Sequence, residues 1–363
     1  MLSIHVNPNH PWNQLFDQER ERLLAILGKI TEGGIVEAIE HIGSTSVPGL
    51  SCAPCVDIGV SVWPFPLEPA RLAALEALGY QPVVRSYRGE HRFHHTTEPV
   101  QLLVVEAGSE FWLDTLILRE FLRHDEEARA SWAASRPTGS NALGPEGQAI
   151  RAQFFQQILE HAHSRWVKYH GFSPVETVQQ ELSAFDRPWW VAGGWALDLF
   201  LGTVARVHHD IDIIIPRSAQ LTLQQFLTER GWKLIAPFAG RMEPWPPHMR
   251  LELPRHQVHA HRAGVFLDFL LTDIEHGVWR YRREPSIVRA EERMGMKTNN
   301  GISYVAPELV LLFKSKNTSN KDRKKDQADF ERVYPYLEPE RKAWLRWALI
   351  ATQPDHAWLE TLI

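Results

Sequence analysis

Two aspartates one residue apart, Asp210 and Asp212, stand in HHDIDIII, downstream of a Gly193-Gly194 pair in WWVAGGWALDLFLG. In an extended chain successive side chains alternate between faces, so the two acids share one face while Ile211 and Ile213 enter the apolar layer behind. Two hard oxygen ligands converging in this way suit Mg²⁺, which takes one or two protein carboxylates and leaves room for phosphate oxygens and water. A bare D-x-D is equally the end of a half-buried strand, capped by solvated acids. The glycines tip the balance. They follow the apolar run Trp189 to Ala192 and open a second apolar segment, which predicts a strand, a turn and a helix. Backbone amides in such a turn accept an anion at close range because no side chain intervenes.

With both segments in view, the C-terminal half resembles the DNA polymerase β-like nucleotidyltransferases, specifically the small-molecule group of aminoglycoside adenylyltransferases and lincosamide nucleotidyltransferases. The resemblance implies a third carboxylate on a later strand, where it binds metal and takes a proton from the acceptor hydroxyl. Asp268 is the candidate, because it lies in AGVFLDFLLT, an apolar segment in which a lone acid is costly to bury without a cation or partner. Asp273 competes for the role, and reads more simply as the residue that ends the strand. The resemblance also places a lysine-aspartate segment at the start of a C-terminal helical region beside the cleft, with Lys314 or Lys325 near the nucleotide. In that segment Lys314, Lys316, Lys321, Arg323, Lys324 and Lys325 alternate with Asp322, Asp326 and Asp329. Mixed charge of this kind is by default a solvated helix start, and only secondarily a triphosphate-steering or RNA-backbone patch.

IEHIGSTSVPGL followed by PCVDIGVSV has the same outline: strand, glycine-containing turn, strand bearing an acid. These residues resemble the GrpB family, itself assigned to the nucleotidyltransferase superfamily, and the likeness runs from Ile4 to Arg165 through LREFLRHDEEARASW. Gly43 and Ser44 are then the candidate nucleotide-holding turn and Asp57 the strand acid. Two uses stay open for Ser44, Thr45 and Ser46, donation to a phosphate or shaping of the turn. By spacing, Gly59 falls where the second acid of a D-x-D would stand, an acid the family commonly lacks. Ala53 replaces its usual lysine, and Val100-Gln-Leu-Leu replaces its histidine-rich segment. With one acid where two-metal chemistry needs two or three, this half is expected to bind or scaffold. His91, His94 and His95 invite a metal reading that lacks a paired strand acid. Cys52 and Cys55 form a CxxC without any feature that would lower a thiol pKa, and two cysteines are too few for a zinc ribbon.

The 363 residues, 44% of them hydrophobic, suffice for two cores. A formal charge of -5 argues against a dominant polyanion-binding surface. The N-terminus lacks a basic leader with an apolar core, and no apolar run approaches membrane-spanning length, so a cytoplasmic location without membrane partners is expected. Apolar spacing predicts helices over Pro11 to Lys29, Glu68 to Leu78, Trp112 to Arg129 and Gln148 to Lys168, with strands over Val36 to His41 and Cys55 to Val62. Ser173-Pro174-Val175-Glu176 has the signature of a helix start and opens a new domain. The fold class is α+β, as two tandem nucleotidyltransferase-like domains, residues 1–168 and 172–363, each a mixed sheet flanked by helices. The Pro-rich stretch Phe238 to Arg255 reads as irregular, either an acceptor-recognition loop or a surface excursion.

The expected chemistry is transfer of a nucleoside monophosphate, AMP from ATP before other triphosphates, to a hydroxyl of a small molecule or a protein. Mg²⁺, or Mn²⁺ in its place, is expected among Asp210, Asp212 and Asp268. A nucleotide sensor without turnover is the alternative, and an RNA-directed enzyme is disfavoured by the acidic balance.

Overall fold

The computed structural model describes residues 11–29, 34–50, 54–83, 90–134, 145–239, 241–262, 265–316 and 320–362. The chain divides into two compact units, one of Met1–Tyr169 with Ala263–Val265, the other of His170–Arg262 with Phe266–Ile363. Among the described residues, no helix is long and apolar enough to cross a membrane.

In the first unit the chain runs α1 (Pro11–Leu27), β1 (Val36–Ile42), β2 (Val56–Val62), α2 (Pro69–Ala77), β3 (Tyr80–Pro82), β4 (Glu90–His95), β5 (Val100–Glu106), α3 (Glu110–His124), α4 (Glu126–Ala134) and α5 (Pro145–His170). The sheet order is β1-β2-β5-β4-β3, with β2 and β5 parallel and the other neighbours antiparallel. Val56, Ile58, Val60 and Val62 alternate with residues of the opposite face and join Leu23 and Leu27 of α1 in one core. A smaller apolar cluster gathers Val47, Leu50, Leu118, Leu122, Ile158 and Leu159. The single helix expected over Trp112 to Arg129 is two helices. Asp125 leaves the helical region at φ -124° and ψ 108°, and its carboxylate accepts the Ala128 amide at 2.8 Å, so it caps α4.

The second unit holds α6 (Ser173–Glu181), β6 (Trp190–Val191), α7 (Gly193–Leu201), β7 (Asp212–Pro216), α8 (Gln220–Thr228), β8 (Lys233–Phe238), β9 (Arg241–Pro244), β10 (Gln257–Arg262) and β11 (Val265–Glu275). Then come β12 (Val278–Arg280), β13 (Val288–Ala290), β14 (Gly295–Lys297), β15 (Ser303–Val305), α9 (Pro307–Lys314), α10 (Asn320–Val333) and α11 (Pro339–Thr352). The main path of its sheet is β14-β15-β6-β7-β11-β10-β8-β9, with β7 parallel to β11 and antiparallel to β6. Ile213 and Ile215 face one core while Ile214 faces another, so β7 is covered on both sides. A strand buried on both faces reads as an unbroken apolar run, which is why HHDIDIIIP was legible as a central element. Each unit is thus a mixed sheet flanked by helices, in keeping with the α+β expectation.

The Pro-rich stretch is more ordered than its composition suggests. Arg241–Pro244 becomes β9, paired with β8, and two buried glutamines of α8 hold the rest. Gln224 donates to the Pro246 carbonyl at 2.8 Å, and Gln220 accepts the Leu251 amide at 2.6 Å. These side chains take up backbone groups that the irregular segment leaves without ladder partners.

Candidate functional site

The turn between β6 and α7 is set against β7 by its backbone. The Ala192 amide donates to the Asp212 carbonyl at 2.8 Å, and Gly193 follows with φ 58°, a conformation that glycine adopts without strain. A Cβ on Gly193 would also stand 2.0 Å from Asp212 Oδ2, so the carboxylate occupies the space a side chain would need. Gly194 has a different reason for lacking one, because a Cβ there would meet His208 Cε1 at 2.3 Å. That histidine shares a 2.7 Å hydrogen bond with Asp198, a fully buried acid of α7 that also pairs with Arg332 at 2.6 Å. This network is not among the expectations drawn from the sequence. Its signal was present in WALDLFL, where one acid sits in an otherwise apolar helix and must find a partner.

Asp212 is the first residue of β7, and Asp210 lies exposed just ahead of the strand instead of on it. Asp268, 7% exposed, is paired directly with Asp212 in the parallel register of β7 and β11, which puts the two side chains on one face of the sheet. Burial pushes the Asp212 carboxyl up to about 7, the Asp210 charge adds to this, and the Lys314 ammonium opposes it. Burial likewise holds Asp268 well above the usual carboxylate range, reinforced by Asp212 and Asp210 and opposed by a hydrogen bond from Gln257. Three carboxyl groups from two stretches of backbone therefore act on one another. Asp273, an odd number of residues further along β11, faces the other side and pairs with Arg217 at 2.6 Å.

The surroundings of Asp268 fit a cation. Its Oδ2 accepts from Gln257 at 2.5 Å, while its Oδ1 is buried without a hydrogen-bond partner. His259 Nε2 is 3.8 Å from Oδ1, too far for a hydrogen bond, and burial holds that imidazole neutral with a pKa down to about 4. Gln257 and His259 were not singled out from the sequence, although QVHAH places polar groups at every second position of an otherwise apolar strand. Lys314, at the end of α9, is engaged by Asp326 at 2.7 Å and Asp329 at 2.9 Å. It reaches the acidic cluster through its charge. Lys321 and Arg323, like Cys52, have side chains outside the described residues.

The first unit repeats the plan with fewer charges. Gly43 has φ 69°, and a Cβ on it would stand 2.0 Å from Asp57 Oδ2, the same relation that Gly193 bears to Asp212. Asp57 pairs with Ile42 across the antiparallel neighbour and with Gln101 across the parallel one. Strand by strand, Asp57 therefore matches Asp212, Gln101 matches Asp268, and Cys55 matches Asp210. This corrects the spacing argument that put the absent acid at Gly59, where a Cβ would strike the Trp112 ring at 2.7 Å. Burial raises Asp57 to about 6, and burial together with Asp57 raises the Cys55 thiol to about 11, which leaves it protonated and unsuited to thiolate chemistry. Thr45 donates to the Cys55 carbonyl at 3.1 Å and Ser46 to the Gly43 carbonyl at 2.6 Å, so both shape the turn. Ser44 borders the same cavity as Asp57. The three histidines do not converge: His91 packs near Phe65 and Phe93, His94 is exposed, and His95 bonds the Leu78 carbonyl at 2.9 Å.

Comparison with known proteins divides the chain in the same order. Residues 4–160 match the family model described as GrpB protein, and residues 174–250 match that of aminoglycoside-2''-adenylyltransferase. A UPF0157 protein of Streptomyces coelicolor is 38% identical over 120 residues, which cover 33% of this chain and 60% of the relative. A 2''-aminoglycoside nucleotidyltransferase of Klebsiella pneumoniae is 36% identical over 63 residues, 16% of this chain and 36% of the relative. The chain thus spans less than two thirds of the length of these curated relatives. The crystal structure of conserved protein GrpB from Enterococcus faecalis aligns over 44% of this chain and 96% of its own, with 20% identity and a TM-score of 0.36. The chain is similar to GrpB proteins in its first part and to aminoglycoside nucleotidyltransferases in its second.

Proposed function

We propose that the second unit is a nucleotidyltransferase that moves a nucleoside monophosphate, AMP from ATP, to a hydroxyl of a small-molecule acceptor. The carrying observation is the direct pairing of Asp268 with Asp212, with Asp210 two residues ahead, beside a glycine turn shaped around the Asp212 carboxylate. The similarity of residues 174–250 to aminoglycoside-2''-adenylyltransferase supports the same reading.

Asp210, Asp212 and Asp268 are the residues that would hold Mg²⁺ or Mn²⁺. Bound there, the metal would supply charge neutralisation for the triphosphate and activation of the attacking oxygen. The amides at the start of α7 receive the phosphates, and Gly193 lets the Asp212 carboxylate lie directly against that turn. The acceptor oxygen forms its bond to the α-phosphorus as the bond to pyrophosphate breaks. Asp268, paired with Asp212 across the neighbouring strand, takes the hydroxyl proton. The rate gain comes mainly from positioning and from charge already in place. The first unit, with one acid, binds and does not transfer.

The test is incubation of the full chain with Mg²⁺, each α-labelled triphosphate in turn, and a panel of hydroxyl acceptors that includes aminoglycosides, the protein itself and short RNA. Label in a small product supports the proposal. Nucleotide affinity without labelled product from any acceptor would make the second unit a sensor, and label in RNA would overturn the choice of acceptor.

A further inference from the structure

A cavity of about 530 Å³ opens beside Asp57 in the first unit, a size typical of small-molecule sites. Val47, Leu50, Leu118, Leu122 and Trp132 give it apolar walls, and Ser44, Gln101, His94, Arg92 and Arg119 join Asp57 in its polar lining. Phe111 and Phe155 also line it and are 42% and 40% exposed, an apolar surface with no neighbour among the described residues to cover it fully.

Both arginines that line the cavity are engaged by other acids. Arg92 spends two nitrogens on Glu90, at 2.8 and 3.0 Å. Arg119 is held by Glu40 and the His41 carbonyl at 2.8 Å each, and by Glu120 at 3.1 Å. Asp57 makes no hydrogen bond or ion pair among the described residues; burial raises its carboxyl to about 6, and the charge of Arg92, itself spent on Glu90, opposes that rise only in part. A half-buried carboxylate without a direct ion pair carries a desolvation cost that a cation in contact with it would relieve. Divalent metal with triphosphate is a poor match, because Gln101 and the protonated Cys55 stand where the second unit has Asp268 and Asp210.

We infer that this cavity binds a small molecule with an apolar body and one cationic nitrogen group, an amine or a guanidine, which pairs with Asp57 while the body lies against the leucines and Trp132. The inference extends the reading of the first unit as a binding domain and is independent of transfer in the second.

The test is calorimetric titration of the full chain with a graded series of protonated arylalkyl amines, alongside alcohols and carboxylates of the same carbon skeleton. Saturable binding of amines is expected, with the alcohols weaker and the carboxylates weaker still. Asp57→Asn, which preserves size, should weaken the amines by about tenfold or more. Leu118→Ala should weaken the larger amines more than the smaller, a readout that separates the apolar wall from general destabilisation. Each titration is repeated in an Asp212→Asn background, where amine affinity should persist whether or not transfer does. Amine affinity unchanged by Asp57→Asn, lost with Asp212→Asn, matched by the carboxylates, or absent across the series would overturn the inference.

Discussion

Asp212 concentrates the electrostatic cost of the site. Its carboxyl titrates near 7 in the fold, against about 4 in an unfolded chain, so folding favours the protonated form. The stability this contributes is complete below about pH 4 and is lost as pH rises through about 7. The metal-free protein should therefore melt at progressively lower temperature across that interval. Mg²⁺ should raise the melting temperature more at pH 8 than at pH 5, because it competes with protons for the same oxygens. A metal-free melting temperature that climbs over this interval, with Asp212→Asn following the same curve, would refute the assignment. A neighbouring residue gives a second prediction. Among the described residues Gln257 meets the site through its hydrogen bond to Asp268 Oδ2, and Gln257→Leu should lower kcat about 10- to 100-fold while the nucleotide KM changes little. A change confined to KM would place Gln257 on the substrate instead.

At the scale of elements, the strand, glycine turn and acidic strand form one device built twice, with α7 following the turn in the second unit and a single 3-10 turn, Ser44–Ser46, in the first. Gly193 and Gly202 bracket α7, both with positive φ, but only Gly193 faces a carboxylate at 2.0 Å from the position of a Cβ, whereas Gly202 has open space. Gly202→Ala should cost about 1 kcal/mol of stability through backbone strain and leave transfer intact. Gly193→Ala should abolish transfer by displacing Asp212. Denaturation midpoints and initial rates of both variants check the pair, and a Gly193→Ala enzyme with normal turnover would contradict it. This device was legible in the sequence because a central strand and a glycine-opened helix leave unbroken apolar runs. The matching of acids between the two copies was not. Gly43 precedes Asp57 by 14 residues and Gly193 precedes Asp212 by 19, so the correspondence lives in strand register, which spacing cannot reveal. The short strands β12, β13 and β14 were illegible for a related reason, since three residues each carry no periodicity and form only because a partner strand is beside them.

At the scale of the molecule, two units with separate cores carry one plan at different charge: three acids in the second, one in the first. Scanning calorimetry should resolve two transitions, and Mg²⁺ should raise only one of them. A shift of both, or of neither, would speak against metal binding confined to the second unit. The two-part division was readable from the helix-start signature at Ser173 and from the separate motifs, whereas Asp198, Gln257 and His259 acquire their partners only when distant segments pack. The most direct test of the central claim is the initial rate of pyrophosphate release from ATP, with an accepted hydroxyl substrate and Mg²⁺, by the unmodified chain and by Asp212→Asn and Asp268→Asn, each shown by its melting to be folded. Turnover by the unmodified chain alone is the predicted result, and undiminished turnover by either folded variant would contradict it.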